Sequence, residues 1–287
     1  VWVDDHFVGM QESICTPHRF DISDFISPGP HRITIRIDNR YKYNIGVATS
    51  GRMGSPMWTM AVTDESQTTW NGAIGRIEIS ATDPVWIERY ETYPVIADNQ
   101  LRVVVVLRNR SGIAAEGNVT ASIVDDRDTL ASAFAAFANK TDDSPVLDGA
   151  NSVLLNQVSG PFYMHSSETR VEIILPLKKE IKLWDEFSPA QYTMKIDVQA
   201  KDKSDRSYHH QRAGKIGIRE FTVNGKQFSL NGRNIFLRGN QDNCVHPLTG
   251  YPPMDLQYWI AFLKKYKDYG LNHIRFHSWC PPEAAFA

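Results

Sequence analysis

Apolar and polar residues alternate in the first part of the chain: Val1 and Val3, then Phe7, and later Ile33, Ile35 and Ile37 separated by Thr34, Arg36 and Asp38. A period of two places successive side chains on opposite faces, so these residues predict half-buried antiparallel strands. Asp4-Asp5, Ser27-Pro28-Gly29-Pro30 and Asp38-Asn39 supply turns between them. A β-sandwich is therefore expected over residues 1–90. The theme repeats over 91–218, with strands expected at 101–108, 119–124, 169–175 and 192–200. That span exceeds the roughly 100 residues of an immunoglobulin-like domain. The surplus lies in the polar, Ala-rich stretch 127–167, which reads as long loops or a short helix laid over a second sandwich.

After Gly217 the pattern changes. A β-ribbon over 221–228, turning at Asn224-Gly225, leads to an expected strand at 235–239, a loop, and an amphipathic helix. Leu256, Trp259, Ile260, Leu263 and Tyr266 share one helical face, while Lys264, Lys265 and Lys267 occupy the others. Gly270 is placed to end the helix in the left-handed conformation, with Leu271 making the accompanying apolar contact. A second strand at 272–276 follows, and Pro281-Pro282-Glu283 opens another helix where proline suits the first turn. Strand, helix, strand, helix is the repeating unit of a parallel α/β barrel. Such a barrel takes about 250 residues, of which 219–287 holds the beginning. The opening residues already read as a strand, so both ends of the chain are expected to cut through structural units.

Composition narrows the function classes. With 287 residues, 42% hydrophobic and 22% charged, the chain can bury two or three separate cores. A net charge of −2, with both signs interspersed, provides no basic field for phosphate backbones, so nucleic acid is not an expected partner and a neutral ligand such as a sugar fits better. No stretch approaches the roughly 20 apolar residues that span a bilayer. The densest run, 103–107, has only strand length. Cys15, Cys244 and Cys280 are odd in number and widely spread, so they read as free thiols. His209-His210 lacks a third ligand nearby, and neither a metal nor a cofactor is expected. The sequons at Asn118 and Asn139 are short enough to arise by chance, and no modification is expected there. The compartment is left open, with a secreted or periplasmic one favoured, and so is homo-oligomerisation.

In an α/β barrel, functional side chains gather at the C-terminal ends of the strands. That rule selects Asn240 and Asp242 after the first strand, and His277, Ser278 and Trp279 after the second. Amides, a carboxylate, an imidazole and an indole suit a sugar, whose hydroxyls take hydrogen bonds and whose ring face stacks on aromatics. Each residue has a plainer reading. Asp242 and Asn243 form an Asx turn, His277 and Trp279 are packing residues, and Glu283 is an acid in the first turn of a helix. Trp2, Trp86 and Trp184 are read as core.

Five stretches, in order, resemble glycoside hydrolase family 2, which includes β-galactosidases, β-glucuronidases and β-mannosidases. Val1-Trp2-Val3-Asp4-Asp5-His6-Phe7-Val8-Gly9, followed by Thr16-Pro17-His18-Arg19-Phe20-Asp21-Ile22 and a return strand through Ile37-Asp38-Asn39-Arg40, resembles the family's sugar-binding jelly-roll domain. Trp70-Asn71-Gly72-Ala73-Ile74-Gly75-Arg76-Ile77-Glu78-Ile79 is similar to the signature closing that domain. Leu183-Trp184 and Tyr192-Thr193, leading to Gly217-Ile218-Arg219, resemble the last strands of its immunoglobulin-like domain. Phe228-Ser229-Leu230-Asn231-Gly232-Arg233 with Ile235-Phe236-Leu237-Arg238-Gly239 is similar to the entry into the barrel, and Asn272-His273-Ile274-Arg275-Phe276-His277 to its second strand.

The resemblance implies a mostly β chain: a jelly-roll-like β-sandwich (1–90), an immunoglobulin-like β-sandwich (91–218), and the first βα units of a truncated TIM barrel (219–287). It implies that His277 lines a substrate pocket and that Asp64 reaches a sugar hydroxyl from the first domain. Where many relatives carry Asn-Arg-His-Glu after the first barrel strand, this chain has Gln241-Asp242-Asn243-Cys244, which marks a divergent subgroup and leaves the sugar open. Retaining hydrolysis needs two carboxyl groups about 5 to 5.5 Å apart. The family's two glutamates come from later barrel strands, so no catalytic residue is assigned here and the fragment is expected to be inactive. The expected parent cleaves terminal β-linked sugars from an oligo- or polysaccharide. The rival is a non-catalytic carbohydrate-binding β-sandwich protein, and the reading frame downstream of Ala287 separates the two.

Overall fold

The computed structural model describes residues 1–13, 16–38, 72–73, 75–125, 152–165, 167–277 and 279–286. The chain is mostly β, with several sheets that resemble the sandwich domains expected from the sequence. It divides into two compact units, Val1–Glu78 with Leu237–Ala287, and Ile79–Phe236.

At the start of the first unit, β1 (Trp2–Val3), β2 (His6–Phe7) and β3 (Ile33–Thr34) form an antiparallel sheet in the order β2-β1-β3. Asp4, at φ 49°, makes the β1–β2 turn. Its carboxylate accepts hydrogen bonds from the Arg32 N–H and from His31 Nδ1, both at 2.8 Å, tying the turn to the start of β3. Ladder pairing ends at Thr34, and Ile33, Ile35 and Ile37 are 39–49% exposed, more than a half-buried face would allow. The rest of the expected return strand, at 39–40, lies outside the described residues.

The second unit contains β4 (Val85–Val95), β5 (Gln100–Asn109), β6 (Ala115–Asp125), β7 (Val153–Met164), β8 (Glu168–Pro176), β9 (Tyr192–Asp202) and β10 (Ser207–Ile216). They form two antiparallel sheets, β4-β5-β8 and β10-β9-β6-β7. The expected strands at 101–108, 119–124, 169–175 and 192–200 lie within β5, β6, β8 and β9. β4 runs unbroken through residue 90, where the first boundary was expected, and pairs with β5 along its length.

The stretch 127–167, read from sequence as loop or helix, contains the strand β7. Gly160 and Pro161 mask it in the pattern, yet β7 pairs with β6 over its whole length. It is an edge strand, where proline is tolerated because one side of the backbone needs no partner.

Between the sheets lie Leu101, Val103, Val105 and Leu107 from one layer and Val119, Ala121, Ile123, Met194, Ile196 and Val198 from the other, all at most 1% exposed. Each large aliphatic chain so buried contributes roughly 1.5–3 kcal/mol. Trp86 sits between the inward-facing Val85 and Ile87 and so turns outward; it is half-buried and donates its indole N–H to Glu88. Trp2 and Trp184 are half-buried as well, and the Arg219 guanidinium lies 4.4 Å over the Trp184 ring.

The expected ribbon is present as β11 (Phe221–Asn224) and β12 (Gln227–Leu230), with β13 (Arg233–Ile235) added to it. Asn231 anchors it, accepting from the Glu220 N–H at 2.9 Å and donating to the Trp184 carbonyl at 3.0 Å.

In the first unit, β14 (Gly239–Asp242), the helix α1 (Leu256–Asp268) and β15 (His273–Phe276) form a strand–helix–strand segment whose strands pair in parallel. The expected first strand at 235–239 is displaced. Ile235 ends β13, and the strand begins at Gly239. A Cβ at Gly239 would stand 2.9 Å from the His273 carbonyl oxygen, so glycine permits this close pairing, while its polar successors Asn240, Gln241 and Asp242 give the strand no apolar signature.

The helix lies where expected, but its packed face differs from the expected one: Trp259 is buried with Tyr258 and Phe262 beside it, while Ile260 is 40% exposed. The Asp255 side chain caps it by accepting from the Gln257 N–H at 3.0 Å. At its end, the Leu271 N–H reaches the Tyr266 carbonyl and the Gly270 N–H the Lys267 carbonyl, with Gly270 at φ 72°. After Pro282, where another helix was expected, a three-residue 3₁₀ turn, Glu283–Ala285, follows. The described residues contain no closed barrel.

Gly117 on β6 provides a test of the sandwich. A Cβ there would stand 2.0 Å from the Gln199 carbonyl oxygen on β9, and backbone at a sheet centre cannot yield. Gly117→Ala is expected to lower stability by about 1–3 kcal/mol, measured by chemical denaturation followed by tryptophan fluorescence. An unchanged midpoint would contradict the close β6–β9 pairing.

Candidate functional site

The C-terminal ends of β14 and β15 lie side by side because parallel pairing sets Asp242 opposite Phe276. Asp242 is the hub. Its Oδ1 accepts the Cys244 N–H at 2.8 Å, an Asx turn that ends the strand. Its carbonyl accepts two donors, the His277 N–H at 2.8 Å and the Trp279 indole N–H at 3.2 Å. The structure thus brings together Asp242, His277 and Trp279, residues 37 positions apart at the extremes.

Their surroundings differ. His277 is half-buried where the chain leaves β15. Trp279 is 8% exposed and packs with Cys244 and Trp259, its ring edge-on to Phe276 at 5.1 Å and to His246 at 5.9 Å. It is a wall of this cluster and presents no open stacking face. Asn240 is exposed within β14, opposite Ile274, and not in a loop after the strand; it shares a face with Asp242. Gln241 contacts Arg275 and donates to Asn243 at 2.9 Å. Asp64 and Ser278 lie outside the described residues. Glu283 takes the first-turn position expected of it and pairs with Arg76 at 3.2 Å.

The pattern reading missed His246. It is only 4% exposed, enclosed by Tyr258, Trp259 and Trp279 at ring distances of 5.9–6.1 Å, and its Nδ1 lies 3.1 Å from the Tyr258 hydroxyl. Burial lowers its pKa from the ordinary value, against the opposing pull of the Asp242 charge. A lone histidine before a loop proline carried no periodic signal to find it.

Cys244 is fully buried in the same cluster, and burial, reinforced by the Asp242 charge, pushes its thiol up to about 12. It is a packing thiol without thiolate reactivity at neutral pH. Cys244 and Cys280 are free, and Cys15 lies outside the described residues. Elsewhere, His209 bonds Asp197 at 2.7 Å and His210 Nδ1 accepts the Ile87 N–H at 3.1 Å. Among the described residues, no three His, Cys, Asp or Glu side chains converge as metal ligands. None of the described helices is long and apolar enough to cross a membrane.

No protein-family model matches the chain. Two curated proteins do. A β-galactosidase of Thermoanaerobacterium thermosulfurigenes is 36% identical over 73 residues, 25% of this chain and 10% of that protein. A β-galactosidase of Lactococcus lactis is 25% identical over 111 residues, 39% of this chain and 10% of that protein. Among solved structures, a glycosyl hydrolase family 2 member from Bacteroides cellulosilyticus DSM 14838 aligns over 99% of this chain and 33% of its own, with a TM-score of 0.66 and 16% identity. At that identity the likeness is one of fold. The chain therefore shares the fold of a glycoside hydrolase family 2 member, and short stretches of its sequence are similar to two β-galactosidases. The matched segments span a tenth of either curated relative.

The buried histidine makes the strand–helix–strand segment sensitive to pH. With its folded pKa below the unfolded value of about 6.5, the unfolded state binds more protons between the two, so stability rises with pH in that window and is lost as pH falls. Amide exchange at Trp259, corrected for its intrinsic pH dependence, is expected to lose protection as pH falls from about 7.5 to below about 6.5, the unfolded-state value. Constant protection across that interval would show that the folded-state pKa of His246 is not lowered.

Proposed function

We propose that the chain is part of a retaining glycoside hydrolase acting on terminal β-linked sugars, β-galactosidase-like, and that its own share of the work is to hold substrate. The supporting observation is the convergence of His277 and Asp242 at the C-terminal ends of two parallel strands, in a chain whose fold is like that of a glycoside hydrolase family 2 member. In this reading 1–90 is a sugar-binding jelly-roll-like domain, 91–218 an immunoglobulin-like domain, and 219–287 the start of a (β/α)8 barrel. His277, Asp242 and the exposed amide of Asn240 bond sugar hydroxyls. Trp279 acts through packing, holding the Asp242 carbonyl from below while His277 takes the same oxygen by its backbone. Asp64 stays a proposed contact from the first domain.

The chemistry limits what these residues do alone. Retention of configuration needs one carboxylic acid to protonate the leaving oxygen and a second carboxylate about 5–5.5 Å away to attack the anomeric carbon. Asp242 supplies a single carboxylate, with one oxygen already engaged by the Cys244 N–H. The family resemblance implies that the acid and the nucleophile are glutamates on later strands.

Two outcomes are expected of the 287-residue polypeptide. It releases no chromophore from nitrophenyl β-galactoside, β-glucuronide or β-mannoside, and turnover that vanishes in Asp242→Asn would overturn this. It binds methyl β-D-galactoside or methyl β-D-glucuronide weakly, seen as saturable shifts in histidine resonances. His277→Ala weakens that binding by about 3- to 10-fold, the worth of one hydrogen bond. Equal affinity in the variant would remove His277 from the site.

A further inference from the structure

In the cluster between β14 and α1 the buried polar atoms can be followed one by one. The Trp259 indole N–H donates to the Pro253 carbonyl at 2.8 Å, and the Trp279 indole N–H to the Asp242 carbonyl at 3.2 Å. The Tyr258 hydroxyl and His246 Nδ1 lie 3.1 Å apart. His246 Nε2 is different. Among the described residues it is the one buried side-chain nitrogen or oxygen with no hydrogen-bond partner. Native interiors rarely leave such an atom unpaired, and where one occurs it points to a water, a ligand or a chemical role.

The missing partner can be characterised chemically. Turning the imidazole over would break the Tyr258 contact. Protonating it would put a charge into an aromatic enclosure, where burial already favours the neutral ring. The ring is therefore neutral and exists as one of two tautomers. If Tyr258 donates to Nδ1, then Nε2 carries the hydrogen and needs an acceptor. If Nδ1 donates to Tyr258, then Nε2 is a lone pair and needs a donor. A hydroxyl oxygen satisfies both cases, since it donates and accepts, whereas a carbonyl or an anion satisfies one. Among the described residues no third His, Cys, Asp or Glu converges here to make a metal site.

We propose that His246 is a hydroxyl-binding residue of the candidate site, its Nε2 completed by the oxygen of a sugar hydroxyl or of one ordered water. The sugar alternative rests on the carbohydrate reading above. The placement suits it. His246 lies four residues beyond Asp242, on the loop that leaves the C-terminal end of β14.

The test uses the full chain with ¹⁵N-labelled histidine. Two-bond proton–nitrogen correlations report the tautomer and the bonding state of Nε2, and water cross-relaxation reports a bound water. Methyl β-D-galactoside and methyl β-D-glucuronide are then titrated in. Saturable movement, with a sugar, of the Nε2 resonance that disappears in His246→Phe identifies a sugar hydroxyl. A long-lived water at His246 that neither sugar displaces identifies water. Either supports the proposal. It is overturned if Nε2 shows no water and no response to either sugar. A second measurement guards against misfolding of the variant. In a Tyr258→Phe background, His246→Phe should lower the thermal midpoint if Nε2 has a partner, and should raise it if the nitrogen is empty-handed. The two readings fail separately: sugar shifts at His277 with a silent, dry His246 sink this inference alone, and a water-filled His246 in a chain that binds no sugar sinks the carbohydrate reading alone.

Discussion

Water is kept out of the space between the sheets β4-β5-β8 and β10-β9-β6-β7 by two facing rows of aliphatic side chains, and the architecture of the Ile79–Phe236 unit depends on that exclusion. Because side chains alternate along a strand, a residue next to an inward one must face out. This is why Trp86 is turned toward its own Glu88 instead of joining the core. The same alternation gives the outer face of β5 and β8 to charged pairs, Arg102 with Glu172 and Arg108 with Glu168, both at 3.2 Å. Such exposed pairs add little stability. They keep the outer face soluble while the inner rows supply the free energy.

At the other end of the chain the governing constraint is an oxygen atom. The Asp242 carbonyl, freed where β14 ends, is claimed by the backbone of His277 and by the indole of Trp279. One acceptor thereby sets the direction of the chain after β15, draws Trp279 against Trp259, and closes the wall around His246. The Asp242 side chain turns in the opposite sense to cap Cys244. A strand end, a candidate ligand residue and a hydrophobic cluster are thus parts of a single hydrogen-bonded arrangement, in which chemistry and packing are not separable.

Much of this was legible in the residues. Alternation located β5, β6, β8 and β9. Helical spacing located α1, and Gly270 marked its end in the left-handed conformation. The strand–helix–strand pattern placed Asp242 and His277 at the neighbouring ends of two parallel strands. Other elements left no local trace. β7 carries Asn156, Gln157, Gly160 and Pro161, residues that read as loop, and it is a strand because β6 offers it a complete ladder. β14 is Gly-Asn-Gln-Asp, as polar as a turn, and it is a strand because Gly239 lets His273 come within close backbone reach.

What the sequence by itself determined is what depends on neighbours a few residues away: the strand period, the helix and its caps, and the Asx turn at Asp242. These are short-range relations, set by backbone geometry and by side chains that meet within one or two turns. Only the tertiary structure decided that Trp279 is a wall and not a stacking platform, that Cys244 is a thiol without reactivity, and that His246 is sealed in with one nitrogen unmatched. Each of those properties is a matter of burial and of partners distant in the chain. Desolvation and hydrogen-bond satisfaction belong to the assembled cluster, and no single segment of Asp242, Tyr258 or Trp279 carries them alone.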